Sequence, residues 1–462
     1  MRALVSILFG VSSLGLAQGA VIDVKVNGAL PTIQQGIDAA GPGDTVRVFS
    51  GVYGGSVFIP SGKTGLKLIG VGNVVIDARA TDGSPVGRGL VVTADSCLIR
   101  KITVRHAVTL SQFDAGYGVV ASGDGIVLDR VVARRCDAAG IAIFGTGVIA
   151  KNCSVFDSEL GIRVSGAQAT IEKCRVERCV TRGIEVDANG ALLRKNVVRG
   201  TSTSDGIFVD GDGYVVESND VRRTGGHAIS LRGTDLFVRK NRCVGPIAKT
   251  GIVWEGDSAT IENNVVTDAT GIGIDVLLIG TATVANNKVE RVGKWGIRVG
   301  EEDIALVDVR SNVVRDAATY GLYLSMDFGD VEGNDVRNCG TASTDAGIRV
   351  TLGGTITDNL VRGGGGDGFR ISADGVVLSN NRAIDNTVDG FDIEPTADEV
   401  VLDGNVAMKN LGEGIEINGT DAIVKNNVSS KNRIDFATTA LLQSFTANTY
   451  GTGGPLVPPQ ID

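Results

Sequence analysis

Apolar residues fall along the chain in short runs of alternating or β-branched character, each closed by Gly, Asn or Asp. Such runs are too short for helices and too evenly punctuated for a sandwich. The most regular is Gly-Ile-x-Val or a close variant: Gly140-Ile-Ala-Ile143, Gly161-Ile-Arg-Val164, Gly183-Ile-Glu-Val186, Gly206-Ile-Phe-Val209, and so on to Gly414-Ile-Glu-Ile417, at a spacing that clusters near twenty-two residues. About thirteen residues after each Gly comes an Asn: Asn152, Asn196, Asn219, Asn241, Asn264, Asn287, Asn312, Asn334, Asn359, Asn381, Asn405 and Asn427. A third apolar pair follows, as in Val197-Val198 and Val313-Val314.

A fixed period of this length with three short strands predicts one rung of a coil, stacked on its neighbours about 4.8 Å apart through parallel strands. A lone rung cannot bury its apolar face, whereas stacked rungs share a continuous core. The pattern therefore predicts one elongated all-β solenoid with about 22 residues per rung. The Asn in its constant slot reads as structural: its amide donates and accepts along the stack, and its backbone tolerates the left-handed bend between strands.

Taken in order, Val21–Val26 reads as a first strand. Pro31 at a helix start, with Ile33, Ile37 and Ala40 on one face, predicts a short amphipathic helix capping the open end of the coil. Strands with tight turns follow in Gly41-Pro-Gly-Asp-Thr-Val-Arg-Val48, Gly51-Val-Tyr53, Leu66-Lys-Leu-Ile-Gly70 and Val74-Val-Ile-Asp77. In this order the segments resemble the opening of right-handed parallel β-helix proteins of the pectin-lyase-like superfamily, nearest the bacterial repeat families that include NosD-type periplasmic proteins. With the rungs behind them, the resemblance spans nearly the whole mature chain. It implies a right-handed coil and no single activity, because the superfamily holds lyases, hydrolases, epimerases, esterases and non-catalytic surface proteins.

The expected organisation is a signal peptide over 1–20, cap and first rungs over 21–117, the repeat region over 118–432, and a C-terminal cap and tail over 433–462. In the last part Phe436, Leu441, Leu442 and Phe445 are expected over the final rung, with Gly451–Asp462 trailing. Loops leaving the stack are expected at Thr81–Arg88, Thr109–Tyr117, Glu301–Asp303 and Thr341–Asp345.

Met1–Ala20 has the parts of a signal peptide, with Arg2, an apolar Ala3–Leu16 and the small-residue exit Ala17-Gln-Gly-Ala20. It predicts a secreted, periplasmic or cell-surface protein, and no second stretch approaches the ~20 apolar residues of a membrane span. A net charge of −9 argues against nucleic acid. Two His and three Met argue against a transition-metal centre. Seven Cys leave at least one unpaired. Cys153 and Cys174, one rung apart, and Cys136 and Cys179, two rungs apart in one slot, read as buried thiols.

Candidate chemistry follows from strand alternation, which turns the Ile and Val of Gly-Ile-x-Val inward and x outward. Read down the stack, x gives one exposed column: Ala142, Arg163, Glu185, Phe208, Ser230, Val253, Asp275, Arg298, Tyr323, Arg349, Arg370, Asp392 and Glu416. Its C-terminal half gathers Trp295, Arg298, Tyr320, Tyr323, Arg349 and Arg370, flanked by Asp367, Asp389, Asp392, Glu394, Glu413 and Glu416. Flat rings suit the apolar face of a sugar and Arg forks suit carboxylates. The column is therefore expected to bind or process a polysaccharide, an acidic one, with Trp295, Arg298, Tyr320, Tyr323 and Glu416 holding substrate. The competing reading is a solvated charge ladder, Arg370 beside Asp392, on a non-catalytic surface, structural or adhesion protein.

Whether the chain is an enzyme is left open; if it is, Arg349, Arg370, Asp367, Asp389 and Asp392 are the catalytic candidates of a glycoside hydrolase or polysaccharide lyase. The resemblance implies for lyases an Arg base beside calcium-binding carboxylates, for which Arg349 or Arg370 with Asp392 is the comparable grouping. For polygalacturonases it implies Asn-Thr-Asp, Asp-Asp and Gly-His-Gly signatures. Here Asn386-Thr-Val-Asp389 is interrupted and Gly226-His227-Ala228 stands out of order. A second acidic patch of Asp205, Asp210, Asp212, His227, Glu255 and Asp275 offers hard oxygens to Ca²⁺, although Asp-Gly pairs are first of all turns. No metal or cofactor is expected, and His106 reads as structural.

Overall fold

The computed structural model describes residues 19–79, 84, 87–111, 115–300, 306–325 and 329–451. The expected signal segment up to residue 18, most of Thr81–Arg88, the middle of Thr109–Tyr117, the Glu301-Glu302-Asp303 stretch and the tail beyond Gly451 lie outside the described residues. The described chain winds into three parallel sheets. The first holds the Gly-Ile-x-Val strands, such as Leu160–Val164, Ile184–Asp187 and Ile207–Asp210. The second holds Thr170–Glu172, Leu192–Arg194 and Val215–Glu217, and the third Arg175–Glu177, Val197–Thr201 and Asp220–Thr224, with their counterparts along the stack.

Each strand pairs with its counterpart one rung on. Ile184 pairs with Ile207, Ile297 with Leu322 and Arg349 with Arg370, which are steps of 23, 25 and 21 residues. The inward Ile and Val of successive rungs stack into one core, with Ile184, Val186, Ile207 and Val209 fully buried. Near the C-terminal end Phe369 stacks on Phe391 in the same interior slot at 4.7 Å.

The Gly of the phrase is required by a close approach. A Cβ on Gly183 would lie 2.3 Å from Val198 Cγ1, and one on Gly273 would lie 2.2 Å from Val289 Cγ1, where the first and third sheets meet at a corner. Where Ala228 takes the place of the Gly, the third-sheet residue in register with Val221 is Cys243, smaller than Val. Gly273→Ala is therefore expected to destabilise by overpacking, by about 1–3 kcal/mol. The double variant with Val289→Cys should recover part of that loss in urea unfolding; an additive double variant would contradict this account of the corner.

The Asn row is a buried ladder between the second and third sheets. Asn264 accepts at Oδ1 from both the backbone N–H (2.9 Å) and Nδ2 (3.0 Å) of Asn241, and itself donates from both to Asn287 Oδ1, at 2.9 and 3.0 Å. The ladder runs from Asn196 to Asn448. The left-handed bend assigned to these Asn residues belongs instead to the residue before each: Lys195, Ser218, Lys240, Asn263 and Asn286 have φ of 56, 57, 56, 56 and 55°. Asn152 is such a bend residue, with φ of 55°, and Cys153 takes the ladder slot behind it. Cys174 follows Cys153 in that slot, and its backbone N–H donates to Asn196 Oδ1. All seven Cys are buried free thiols.

At the N-terminal end the helix spans Ile33–Ala39 and packs on strands Val21–Val24, Thr45–Gly54 and Val57–Ile59. It starts at the Thr32 N-cap, in a capping box with Gln35, so Pro31 precedes the cap and does not open the helix. At the other end Ile434–Thr438, Leu442–Thr446 and Thr449–Tyr450 continue the coil for one more turn. Phe436 and Leu442 are buried and Phe445 packs against the core, whereas Leu441 is 48% exposed.

Candidate functional site

The register of the first sheet lines up the expected column. Asp275 pairs with Arg298, then Tyr323, Arg349, Arg370, Asp392 and Glu416 follow in succession. A second column runs beside it, formed by the residue two before each inward Ile, Leu or Phe: Trp295, Tyr320, Ala346, Asp367, Asp389 and Glu413. Side chains three apart in one rung therefore meet across the two columns. Arg298 lies over Trp295, Tyr320 beside Tyr323, and Arg370 against Asp367.

The aromatic residues stack on one another. Trp295 and Tyr323 lie parallel with centroids 4.7 Å apart, Tyr320 is 5.3 Å from Tyr323, and Lys294 Nζ sits 3.9 Å from the Trp295 ring centre. One face of Trp295 is thus already covered by Tyr323.

The arginines are committed as well. Arg298 forms a two-point pair with Asp275 at 2.5 and 2.8 Å. Arg349 reaches two rungs along to Glu394, at 2.7 and 3.1 Å. Arg370 lies 2.5 Å from Asp367 and 3.1 Å from Asp392, and donates to the carbonyl oxygens of Thr344 and Ser343 at 2.9 and 3.3 Å. Arg349 and Arg370 adjoin as the register requires, but neither is unpaired, because Glu394 two rungs along reaches Arg349, and Asp367 of the same rung and Asp392 of the next reach Arg370.

The carboxyl groups outnumber these cations and are partly or wholly buried. Asp367 is fully buried; it accepts from the Asp389 backbone N–H at 3.0 Å, and burial lifts it to about 6 against the pull of Arg370. Asp392 is lifted to about 7, first by burial and then by the Asp367 charge. Asp389 accepts from the Glu413 backbone N–H at 2.6 Å. Burial, and then a hydrogen bond with the Glu413 side chain, push Asp389 well above the usual carboxylate range. Glu413 is opposed by its own burial, yet the Asp389 hydrogen bond and Arg433 hold it low. The cluster thus keeps protons on some carboxyls near neutrality beside others that are ionised.

Asp389, Glu413 and Glu416 each offer an oxygen, all within 4.8 Å of one another, a hard-oxygen set that suits Ca²⁺. Burial and the neighbouring Glu413 push Asp389 toward its protonated form, in which it is a poorer cation ligand. The patch expected to offer calcium ligands is spent otherwise. Asp205 accepts from the His227 backbone N–H, Asp212 from Thr234, and Asp275 holds Arg298. Burial pushes His227 down, and its Nδ1 faces the Thr250 amide at 3.3 Å. His106 Nδ1 lies 3.2 Å from Asp77 Oδ1 in an ion-pair cluster with Arg79 and Arg105. Asn386 is fully buried in a second, short Asn ladder with Asn410 and Asn432, at the corner just before Asp389.

Arg433, which holds Glu413, was not among the expected site residues, and Glu394, expected only as a flanking carboxylate, is the partner of Arg349. Glu394 stands two positions after the outward Asp392, and its pairing partner, Arg349, lies two rungs away. The repeating three-residue spacing in Trp295/Arg298, Tyr320/Tyr323, Asp367/Arg370 and Asp389/Asp392 is the sequence signal of the double column.

Residues 55–204, 205–360 and 328–449 match the model of the family described as right handed beta helix region, and the chain belongs to that family. No curated protein matches the chain. Among solved structures it is similar to the catalytic domain of a GH87 alpha-1,3-glucanase in complex with tetrasaccharides, at 13% identity and TM-score 0.43, covering 77% of this chain and 66% of that one. It is also similar to the catalytic unit of the thermostable GH87 alpha-1,3-glucanase from Streptomyces thermodiastaticus strain HF3-3, at 16% identity and TM-score 0.39, covering 81% and 66%. A third similarity is to the PL6 family alginate lyase AlyGC, at 11% identity and TM-score 0.48, covering 94% and 81%. The chain spans 66% of the length of each glucanase, just under two thirds. Likeness at this level carries no chemistry across.

Proposed function

We propose that the chain is an exported polysaccharide-processing protein that cleaves glycosidic bonds by hydrolysis on the first sheet. Export enters on the strength of the Met1–Ala20 segment. The observation that carries the hydrolytic reading is the carboxyl cluster of Asp367, Asp389 and Asp392 on adjacent rungs, in which burial lifts carboxyl groups toward neutrality while Glu413 is held low. Glycoside hydrolysis needs that combination, a protonated carboxyl to give a proton to the leaving oxygen and an ionised one to act on water or the sugar. Asp389 is the acid in this reading, Glu413 the ionised carboxylate that serves as base, and Asp392 and Asp367 with Arg370 set their charge. Trp295, Tyr320 and Tyr323 continue the same face of the first sheet along the stack as a sugar-binding ridge.

The lyase reading needs an arginine free to lose its proton, and both Arg349 and Arg370 are held by carboxylates. The same pairing favours a neutral glycan over an acidic one, because no fork in the patch is left to receive a uronate. The test is a panel of neutral and uronic-acid polysaccharides, read for new reducing ends and for the ultraviolet absorbance of unsaturated uronates, with and without chelator. The expected result is reducing ends from a neutral polymer, no unsaturated product and no loss on chelation. Unsaturated product would establish a lyase, and binding without turnover on any polymer a non-catalytic surface protein.

A further inference from the structure

The third sheet carries a hollow that the carboxyl site does not use. It measures about 330 Å³ and is lined by Glu177, Arg178, Arg199, Gly200, Arg222 and Arg223. The register explains its shape. Glu177, Arg199 and Arg222 stack as one outward column on successive rungs. The next residue in each rung is a left-handed bend: Arg178 with φ of 55°, Gly200 with 70° and Arg223 with 56°. Gly200 has no side chain between two arginines that stand one rung above and one below, about 10 Å apart at the parallel-strand spacing. The hollow is the place where that side chain is missing.

Its charge is out of keeping with the chain. Arg175, Arg178, Arg199, Arg222, Arg223 and Arg242 face Asp157, Glu177 and Asp220, six cations to three anions, in a protein of net charge −9. Arg178 is held by Asp157, and Arg222 by Asp220 at 2.7 Å. Arg199 touches Asp220 only at 3.4 Å, and its Nε is buried with no hydrogen-bond partner. Among the described residues Arg223 has no acidic partner. Two guanidinium groups therefore stand beside the notch with donors unspent, Arg199 in the Gly200 rung and Arg223 one rung on.

We infer that the Gly200 notch is an oxyanion-binding site, taking a sulfate, phosphate or carboxylate group, free or carried on a glycan, between Arg199 and Arg223. Planar forks from adjacent rungs line the hollow left open at Gly200, and such forks suit tetrahedral or planar oxyanions. The site is separate from the carboxyl cluster. Arg199 lies eight pairing steps from Ile384, the third-sheet residue just before the Asp389 corner, roughly 40 Å along the stack. It stands whatever that cluster does, so its failure and the failure of the hydrolytic reading are read in different experiments.

The bend offers a substitution the backbone accepts. Asp157 and Asp268 occupy the same bend slot elsewhere in the stack with φ of 53° and 60°. Gly200→Asp therefore fills the notch with a carboxylate while keeping the fold. Calorimetric titration of the full chain with sodium sulfate, sodium phosphate and a uronic-acid trisaccharide, at constant ionic strength in chloride, is the test. The expected result is saturable binding of at least one oxyanion at one site per chain. It should weaken at least tenfold in Gly200→Asp and in Arg223→Ala, with unchanged circular dichroism and melting. Preference for the trisaccharide over both inorganic ions would identify a glycan as the carrier, and the reverse preference a free ion. Absence of saturable binding for all three probes, or binding unchanged in folded Gly200→Asp, would overturn the proposal.

Discussion

Asn287→Ala, in the middle of the Asn ladder, is expected to lower stability by about 2–4 kcal/mol, more than the same change at most other buried polar positions. Asn287 Oδ1 accepts from the backbone N–H and Nδ2 of Asn264, and its own Nδ2 donates to Ile261 O at 2.8 Å and to Asn312 Oδ1 at 3.1 Å. Alanine orphans the Asn264 N–H in a fully buried slot and removes a donor from two further acceptors, each left with its desolvation cost. The ladder is also continuous, so the loss falls on both neighbouring rungs, as nearest-neighbour coupling in a solenoid requires. Asn448→Ala at the partly buried end removes fewer bonds, since Asn448 accepts from Asn427 and donates only to Val424 O. It should cost about a third as much or less. Equal losses at both positions in denaturant unfolding would mean that the row is not acting as a ladder.

The second large effect concerns turnover. Asp389→Asn keeps the shape of the side chain and its acceptor oxygen for the Glu413 N–H, but removes the proton that the buried carboxyl can deliver. Glycan hydrolysis should fall by about 10²–10⁴-fold, the range of a lost general acid or base, with binding little changed. The pH profile of the intact protein should fall on its alkaline side as the raised carboxyls ionise. Stability should follow the same sign. Asp367 and Asp392, with folded-state values of about 6 and 7, bind protons more tightly folded than unfolded. Their contribution to stability is therefore fully present below the unfolded carboxylate range and is lost as pH rises through those values, whereas carboxylates held low by arginine, such as Asp77, Asp157 and Asp268, contribute stability that is lost in acid. Asp392→Asn should flatten that slope. A variant at Asp389 with full activity would end its assignment as the acid.

Much of this geometry was legible before any coordinates. Because side chains alternate with period two and rungs add in register, one letter per repeat placed Asp275, Arg298, Tyr323, Arg349, Arg370, Asp392 and Glu416 in a line. The second column was less legible, because Trp295, Asp367 and Asp389 precede the Gly corner, where alternation breaks. The pairing of Arg349 with Glu394 was not legible at all. Long side chains reach past their nearest rung, and the letter string fixes Cα positions only. That reach neutralises Arg349, while Arg298 and Arg370 are neutralised by carboxylates of their own or the adjacent rung. The one-residue offset of the left-handed bend has a similar cause: both neighbours in Asn263-Asn264 and Asn286-Asn287 are Asn, and composition alone does not say which of them turns.

The protonation of the carboxyl cluster is open to direct measurement. Infrared difference spectra of the substrate-free protein across the neutral range, compared with Asp389→Asn and Asp392→Asn, report protonated carboxyl groups by their C=O stretch. The account predicts a carboxylic-acid band that persists at neutral pH, titrates away only on the alkaline side, and loses intensity in Asp389→Asn. A spectrum in which every carboxyl is ionised well below neutrality would contradict it, since no proton would then be held where the glycosidic oxygen needs one.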